Sequence, residues 1–211
     1  MSKIVELHHP LAKHHLAILR DRSTPSVLFR NQIRLLSMLL AVRATEDLSL
    51  TEFEIETPLT RMRVSRIAQR IAIIPILRAG LGLVEPILEL IPNAEVWHLG
   101  MYRDEQTAKP IEYYCKLPKD DPAQVGFVLD PMLATGGSIR VAVAALKRWG
   151  VTDVRVLSVI AAPEGIRALH EEHPDVSIYV GAVDQELNEQ KFIVPGLGDA
   201  GDRIFNTRQS N

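Results

Sequence analysis

Val125-Gly126-Phe127-Val128-Leu129-Asp130 runs into Pro131-Met132-Leu133-Ala134-Thr135-Gly136-Gly137-Ser138, and an apolar segment follows to Trp149. The first part reads as a buried strand that carries the Asp130 carboxylate to the tip of a loop. The glycines then open a helix, whose first backbone N–H groups have no partner within the helix itself. A helix start of this kind holds an anion, and a carboxylate beside it accepts hydrogen bonds from hydroxyls. A phosphate attached to a sugar satisfies both groups. A Walker A loop does not fit, because it needs Lys before its Ser/Thr and Gly137 precedes Ser138.

The alternation of strand and helix extends on both sides of this stretch. Ile71-Ala72-Ile73-Ile74-Pro75-Ile76-Leu77 is a continuous apolar run of the type found in buried parallel strands, and a helical stretch follows Gly82 to about Ile91. Further strands are predicted over 95–100, 125–129, 154–160 and 177–182. A helix over 138–149 has its stop in Gly150. Strands separated by helices imply a parallel sheet covered on both faces, with ligands at the carboxyl ends of the strands. Arg78, Arg103 and Asp130 all follow predicted strand ends. The first third reads as helical: Thr24-Pro25 has the form of an N-cap with proline at the first helical position, and Phe29, Ile33, Leu36, Leu39 and Leu40 recur at helix spacing toward Glu46. Residues 101–119, with Tyr113-Tyr114 among charges, break the alternation and suggest an arm or hairpin that closes over a site or pairs with another subunit.

Composition narrows the function classes. The chain has 211 residues, 46% apolar and 24% charged, which is enough for one substantial core in a single domain. A net charge of −2 argues against a dedicated nucleic-acid binder. Without an apolar stretch of membrane-spanning length or a signal-peptide start, the chain is expected to be soluble and cytoplasmic. The single cysteine, Cys115, has no local base to make it a nucleophile. His8, His9, His14 and His15 lack the i, i+3 or i, i+4 spacing of a helical metal pair.

Two glycine motifs carry more. Arg78-Ala79-Gly80-Leu81-Gly82 lets backbone approach a ligand beside a guanidinium suited to phosphate oxygens, while a G-x-G-x-x-G reading there fails at Glu85. Gly196, Gly198 and Gly201 do satisfy G-x-G-x-x-G, yet the helix, second strand and distant acid of a dinucleotide fold have no room before Asn211. Those glycines fit better as backbone that edges up to a small planar ligand.

Taken together, these segments resemble uracil phosphoribosyltransferase, in the wider class of type I phosphoribosyltransferases. The likeness is carried by Val5-Glu6-Leu7-His8-His9-Pro10-Leu11, Leu19-Arg20, Phe29-Arg30, residues 74–82, Gly100-Met101-Tyr102-Arg103, residues 130–138, Ala161-Ala162-Pro163-Glu164-Gly165, residues 184–189 and, most specifically, the tail over 193–205. The resemblance implies an α/β parallel-sheet fold with a projecting arm and a C-terminal base-binding hood. In that arrangement a helical region spans about 1–50, a core that binds phosphoribosyl diphosphate (PRPP) about 70–180, and a base-binding tail about 181–211. It implies transfer of the 5-phosphoribosyl group from PRPP to uracil, giving UMP and diphosphate, with Mg²⁺ delivered mainly by PRPP because Pro131, and not a second acid, follows Asp130. PRPP contacts are carried over to Arg78, Arg103, Asp130, Pro131, Met132, Leu133, Ala134, Thr135, Gly136, Gly137, Ser138 and Asp199. Uracil contacts are carried over to Ile193, Gly198, Asp199 and Ala200. Phe192 stands where the family is expected to have tyrosine. A homo-oligomer and a GTP effector are further implications. The alternatives are a phosphoribosyltransferase for another base, or a PRPP- or nucleotide-sensing regulator that binds RNA on the same fold. The second would need a basic face that a net charge of −2 does not favour.

Overall fold

The computed structural model describes residues 3–103, 110–115, 117–118 and 120–207, with side chains of 101–103 and 110–115 outside the description. In chain order the elements are β1 (Lys3–Glu6), α1 (Pro10–Arg20), α2 (Ser26–Ala44), β2 (Leu50–Glu56), β3 (Arg61–Ile67), β4 (Ile71–Pro75), a 3₁₀ turn (Ala79–Leu83) and α3 (Val84–Leu90). They continue as β5 (Glu95–Val96), β6 (Leu99–Arg103), β7 (Pro110–Cys115), β8 (Val125–Leu129), β9 (Met132–Leu133) and α4 (Gly137–Trp149). The last are β10 (Asp153–Ala161), α5 (Pro163–Glu172), β11 (Ser177–Val183), β12 (Glu186–Leu187), β13 (Ile193–Val194) and α6 (Ala200–Phe205).

A parallel sheet of order β1-β11-β10-β8-β4-β5, with β9 added beside β10, forms the centre. The apolar runs explain why. β4 and β8 are buried along their whole length, and the two-residue period of a strand sorts their side chains onto opposite faces. Ile71, Ile73, Phe127 and Leu129 join Phe29, Ile33 and Leu36 of α2 in one core, while Ala72, Ile74 and Val128 join Ile139, Val143 and Leu146 of α4 in the other. Helices thus cover both faces, as parallel sheets require. Gly150 ends α4 in the left-handed conformation, φ 109°, with its N–H on the carbonyls of Leu146 and Lys147.

Several sequence expectations need correction. Thr24 does not cap α2: its hydroxyl donates to the Ile18 carbonyl, and Pro25 occupies the cap position with no side-chain hydrogen bond. The first third is not wholly helical, since β1 joins the sheet edge beside β11 and β2 pairs with β3 in a separate antiparallel hairpin. The predicted strand over 95–100 is two strands. β5 pairs with β4, and β6 leaves the sheet to pair with β7, so the hairpin expected over 101–119 begins at Leu99. Residues 104–109, 116 and 119 of that segment lie outside the described residues. Among the described residues, no helix is long and apolar enough to cross a membrane.

Candidate functional site

Three chain segments meet beyond the carboxyl ends of β4 and β8. β8 ends at Leu129, and the Asp130 carboxylate accepts from the Met132 amide at 3.2 Å. β9 follows at once and pairs with Ile160 and Ala161 of β10, so this part of the loop is held by the sheet. The Pro131 carbonyl accepts from Val159 and Ile160. Gly136, with φ 77°, turns the chain into α4, whose first turn carries no side-chain cap and no acid. Its leading N–H groups are therefore open to an anion. The start of α5 lies tight against this loop: a Cβ on Gly165 would stand 2.2 Å from the Ala134 carbonyl oxygen. That contact gives the Ala161-to-Gly165 motif a steric reason.

From β4 the chain passes Ile76 and Leu77 to Arg78. The Ile76 amide donates to Leu129 at 2.9 Å, and a Cβ on Gly80 would meet the Leu129 carbonyl at 2.4 Å, so only glycine allows this turn to sit against β8. Arg78 donates to Asp202 at 3.0 Å. The Leu77-Arg78 and Val194-Pro195 peptide bonds are cis. The tail supplies the third wall. β13 leads through residues 195–199 into α6, where the Asp199 carboxylate caps the helix by accepting from the Asp202 amide at 2.8 Å.

These segments enclose a cavity of about 350 Å³, a volume within the range of small-molecule sites. Of the residues the sequence analysis singled out, Arg78, Asp130, Met132, Ala134, Thr135, Ser138, Ile193 and Asp199 line it. Gly136 and Gly137 line a smaller hollow of about 70 Å³ that shares Asp130, Thr135 and Ser138 with the cavity. Pro131 and Leu133 are buried behind the loop, Gly198 is exposed and Ala200 is buried, so these four flank the lining residues. The Arg103 side chain lies outside the described ones; its backbone ends β6. Ile76, Leu77, Ala79, Gln190, Lys191, Phe192 and Gly201 also line the cavity. Sequence reasoning passed over most of these, although Gln190 and Lys191 sit between two segments it had singled out.

The electrostatics are mixed. Desolvation by the cavity walls pushes the Asp130 carboxyl up to about 7, the Met132 amide opposes this, and the negative charge of Asp199 adds to it. Hydrogen bonds from Thr207 and then Arg78 hold Asp202 below its ordinary value. Among the described residues no group of three or more His, Cys, Asp or Glu side chains could hold a metal ion. Among the described residues, Asp130 and Asp199, both hard oxygen donors, are the two carboxylates on the cavity wall.

Comparison with known proteins gives a consistent result. A family model described as Uracil phosphoribosyltransferase matches residues 6–207. The uracil phosphoribosyltransferase of Agathobacter rectalis is 54% identical over 209 residues, covering 99% of this chain and 100% of the relative. That of Roseiflexus sp. is 53% identical over 207 residues, covering 98% and 100%. A solved protein structure from Aquifex aeolicus superposes with a TM-score of 0.91 at 38% identity, covering 98% of this chain and 100% of that one. A hypoxanthine-guanine phosphoribosyltransferase from Bacillus anthracis shares the fold alone, with a TM-score of 0.51 at 12% identity over 75% of this chain and 80% of its own.

Proposed function

The chain belongs to the uracil phosphoribosyltransferase family, and from that premise we propose that its cavity transfers the 5-phosphoribosyl group of PRPP to uracil, giving UMP and diphosphate. The observation that carries this reading is convergence: an acid at a strand end, an uncapped helix start and a glycine-rich tail share one cavity wall system. The amides that open α4, with Thr135 and Ser138, receive the 5′-phosphate. Asp130, when ionised, accepts from the ribose hydroxyls. Arg78 meets the diphosphate, for which Asp202 is a competitor on Arg78, and the resemblance assigns Arg103, the last residue of β6, to the same group.

Displacement at the anomeric carbon joins it to a uracil nitrogen, whose proton passes to the departing diphosphate or to water, and breaks its bond to the diphosphate oxygen. The ribose gains positive charge as negative charge departs with the leaving group. Residues that fix this geometry and face the developing charges accelerate the step without a nucleophile on the protein. No general base is assigned. The chemistry of the site fits Mg²⁺ arriving on PRPP, since Asp130 and Asp199 offer too few donors for a dedicated cage. When bound, the ion neutralises part of the diphosphate charge. Ile193, Asp199 and the neighbouring backbone of Gly198 and Ala200 form the uracil side, with Phe192 completing the wall. A GTP effector rests on the resemblance alone, with no residue assigned to it. A homo-oligomer is supported by the exposed apolar face of the β2–β3 hairpin.

The test is PRPP binding to Gly137→Val by calorimetry. A β-branched side chain in the small hollow blocks the close approach of phosphate, so binding is expected to fall by about 100-fold or more while the variant still folds. Unchanged affinity would put the phosphate elsewhere.

A further inference from the structure

Leu19-Arg20 and the segment beginning at Asp184 mark the sequence without contacting the cavity, and the structure brings them together. Arg20 is the last residue of α1 and Asp184 the first after β11. They stand 164 positions apart, and the Arg20 guanidinium donates through both terminal nitrogens to the Asp184 carboxylate, at 2.8 Å from Nη1 to Oδ2. The same pair takes both backbone polar groups of Gly196: Arg20 Nη1 donates to the Gly196 carbonyl at 2.8 Å, and the Gly196 amide donates to Asp184 Oδ2 at 2.9 Å. One residue on, the Leu197 carbonyl accepts from Arg203 at 2.8 Å, whose guanidinium lies 4.2 Å over the Phe29 ring. Two successive carbonyls of the tail are thus held toward α1 and α2.

Gly196 is fitted to this grip. Its φ is 64°, and a Cβ there would lie 2.1 Å from the Ile193 carbonyl oxygen. Asp184 is 8% exposed, so its charge is compensated within the protein. A buried ion pair is a weak device for stability alone, because desolvation offsets most of the attraction. What it supplies is a fixed direction, through charge-assisted hydrogen bonds on a peptide that lies between Ile193 and Asp199, two cavity-lining residues.

We propose that Arg20 and Asp184 are positioning residues that set the uracil-facing tail by clamping the backbone on both sides of Gly196. The proposal rests on the assignment of that tail to uracil. Apart from Asp199, the residues assigned to PRPP belong to other elements, the β8–α4 loop and the ends of β4 and β6, so loosening the clamp acts mainly on uracil. Misplacing a reacting group by about 1 Å costs on the order of 100-fold, and the effect here falls on the base.

The experiment measures UMP formation and PRPP binding in the full chain and in Asp184→Asn and Arg20→Lys. In Asp184→Asn the KM for uracil should rise about 10- to 100-fold at saturating PRPP, with the PRPP Kd within about threefold of the parent. Arg20→Lys, which keeps the charge and loses the two-pronged geometry, should show a smaller rise of the same kind and serves alone if Asp184→Asn does not fold. A folded variant whose uracil KM moves no more than its PRPP Kd would overturn the clamp. A parent chain that forms no UMP would overturn the assignment of the cavity, and the clamp with it.

Discussion

At Asp130 the cavity walls withhold water from a carboxylate that also faces the charge of Asp199, and the pKa is pushed up to about 7. A raised acid favours folding most where it is protonated. Its contribution is lost as pH climbs from the ordinary carboxylate range through about 7. Asp130→Asn should therefore melt above the parent in the absence of ligands. The gap should widen across that interval and level off beyond it, as read by thermal unfolding at a series of pH values. Function runs the other way, since only the ionised group accepts from both ribose hydroxyls. PRPP affinity of the parent should step upward near pH 7, and the step should be missing in Asp130→Asn, where the ionisation of PRPP itself still registers. A parallel pH profile in the two proteins would separate Asp130 from the ribose. The position of Asp130 was readable from its place after an apolar run. Its shifted pKa was not, because the shift arises from walls and a second acid supplied by distant parts of the chain.

Among the elements, β4, β8, α4 and its Gly150 stop were legible because their signals are local: unbroken apolar runs, helix spacing and a terminal glycine. β9, β12 and β13 were not, since two-residue strands are defined by their partners and carry almost no pattern of their own. The clamp was equally hidden, as no local rule joins residues 164 positions apart. The β2–β3 hairpin is a different case. Its register places Phe53 opposite Val64 and Ile55 opposite Met62 on one face, with Glu52, Glu54, Glu56, Arg61 and Arg63 on the other. The alternation is present in the sequence, but the neighbouring helical pattern drew the reading past it. Phe53 and Met62 are 37% and 47% exposed, and a two-stranded ribbon is marginal in water by itself. In the proposed homo-oligomer, a second copy of the chain would cover this face. The parent should sediment as an oligomer, and Phe53→Glu with Met62→Lys should weaken association by roughly 2 kcal/mol or more, from the apolar area kept in water. A parent that stays monomeric at high concentration would contradict this.

At the scale of the molecule, the parallel sheet gathers the proposed PRPP and base contacts at the carboxyl ends of its strands, while its cores and the amino ends of the strands supply rigidity. Arg155 is an example of the latter. Burial works against its charge, and hydrogen bonds to Asp153 and Asp47, with a further bond to the Ala44 carbonyl, fasten the end of α2 to the sheet well away from the cavity lining. The proposed site at these carboxyl ends joins PRPP to uracil in preference to other bases. In the proposed site, backbone donors and acceptors of the tail would pair with the two carbonyls and N–H groups of uracil. Cytosine replaces a carbonyl by an amino group and sets donor against donor, orotate brings a carboxylate, and hypoxanthine exceeds a pyrimidine slot. The most direct measurement is kcat/KM for each of these bases with PRPP and Mg²⁺. Uracil should exceed cytosine by roughly 10⁴-fold, the discrimination available to a site built on hydrogen bonds. Orotate and hypoxanthine should be used hardly at all. A comparable kcat/KM for uracil and any of the three would contradict the account.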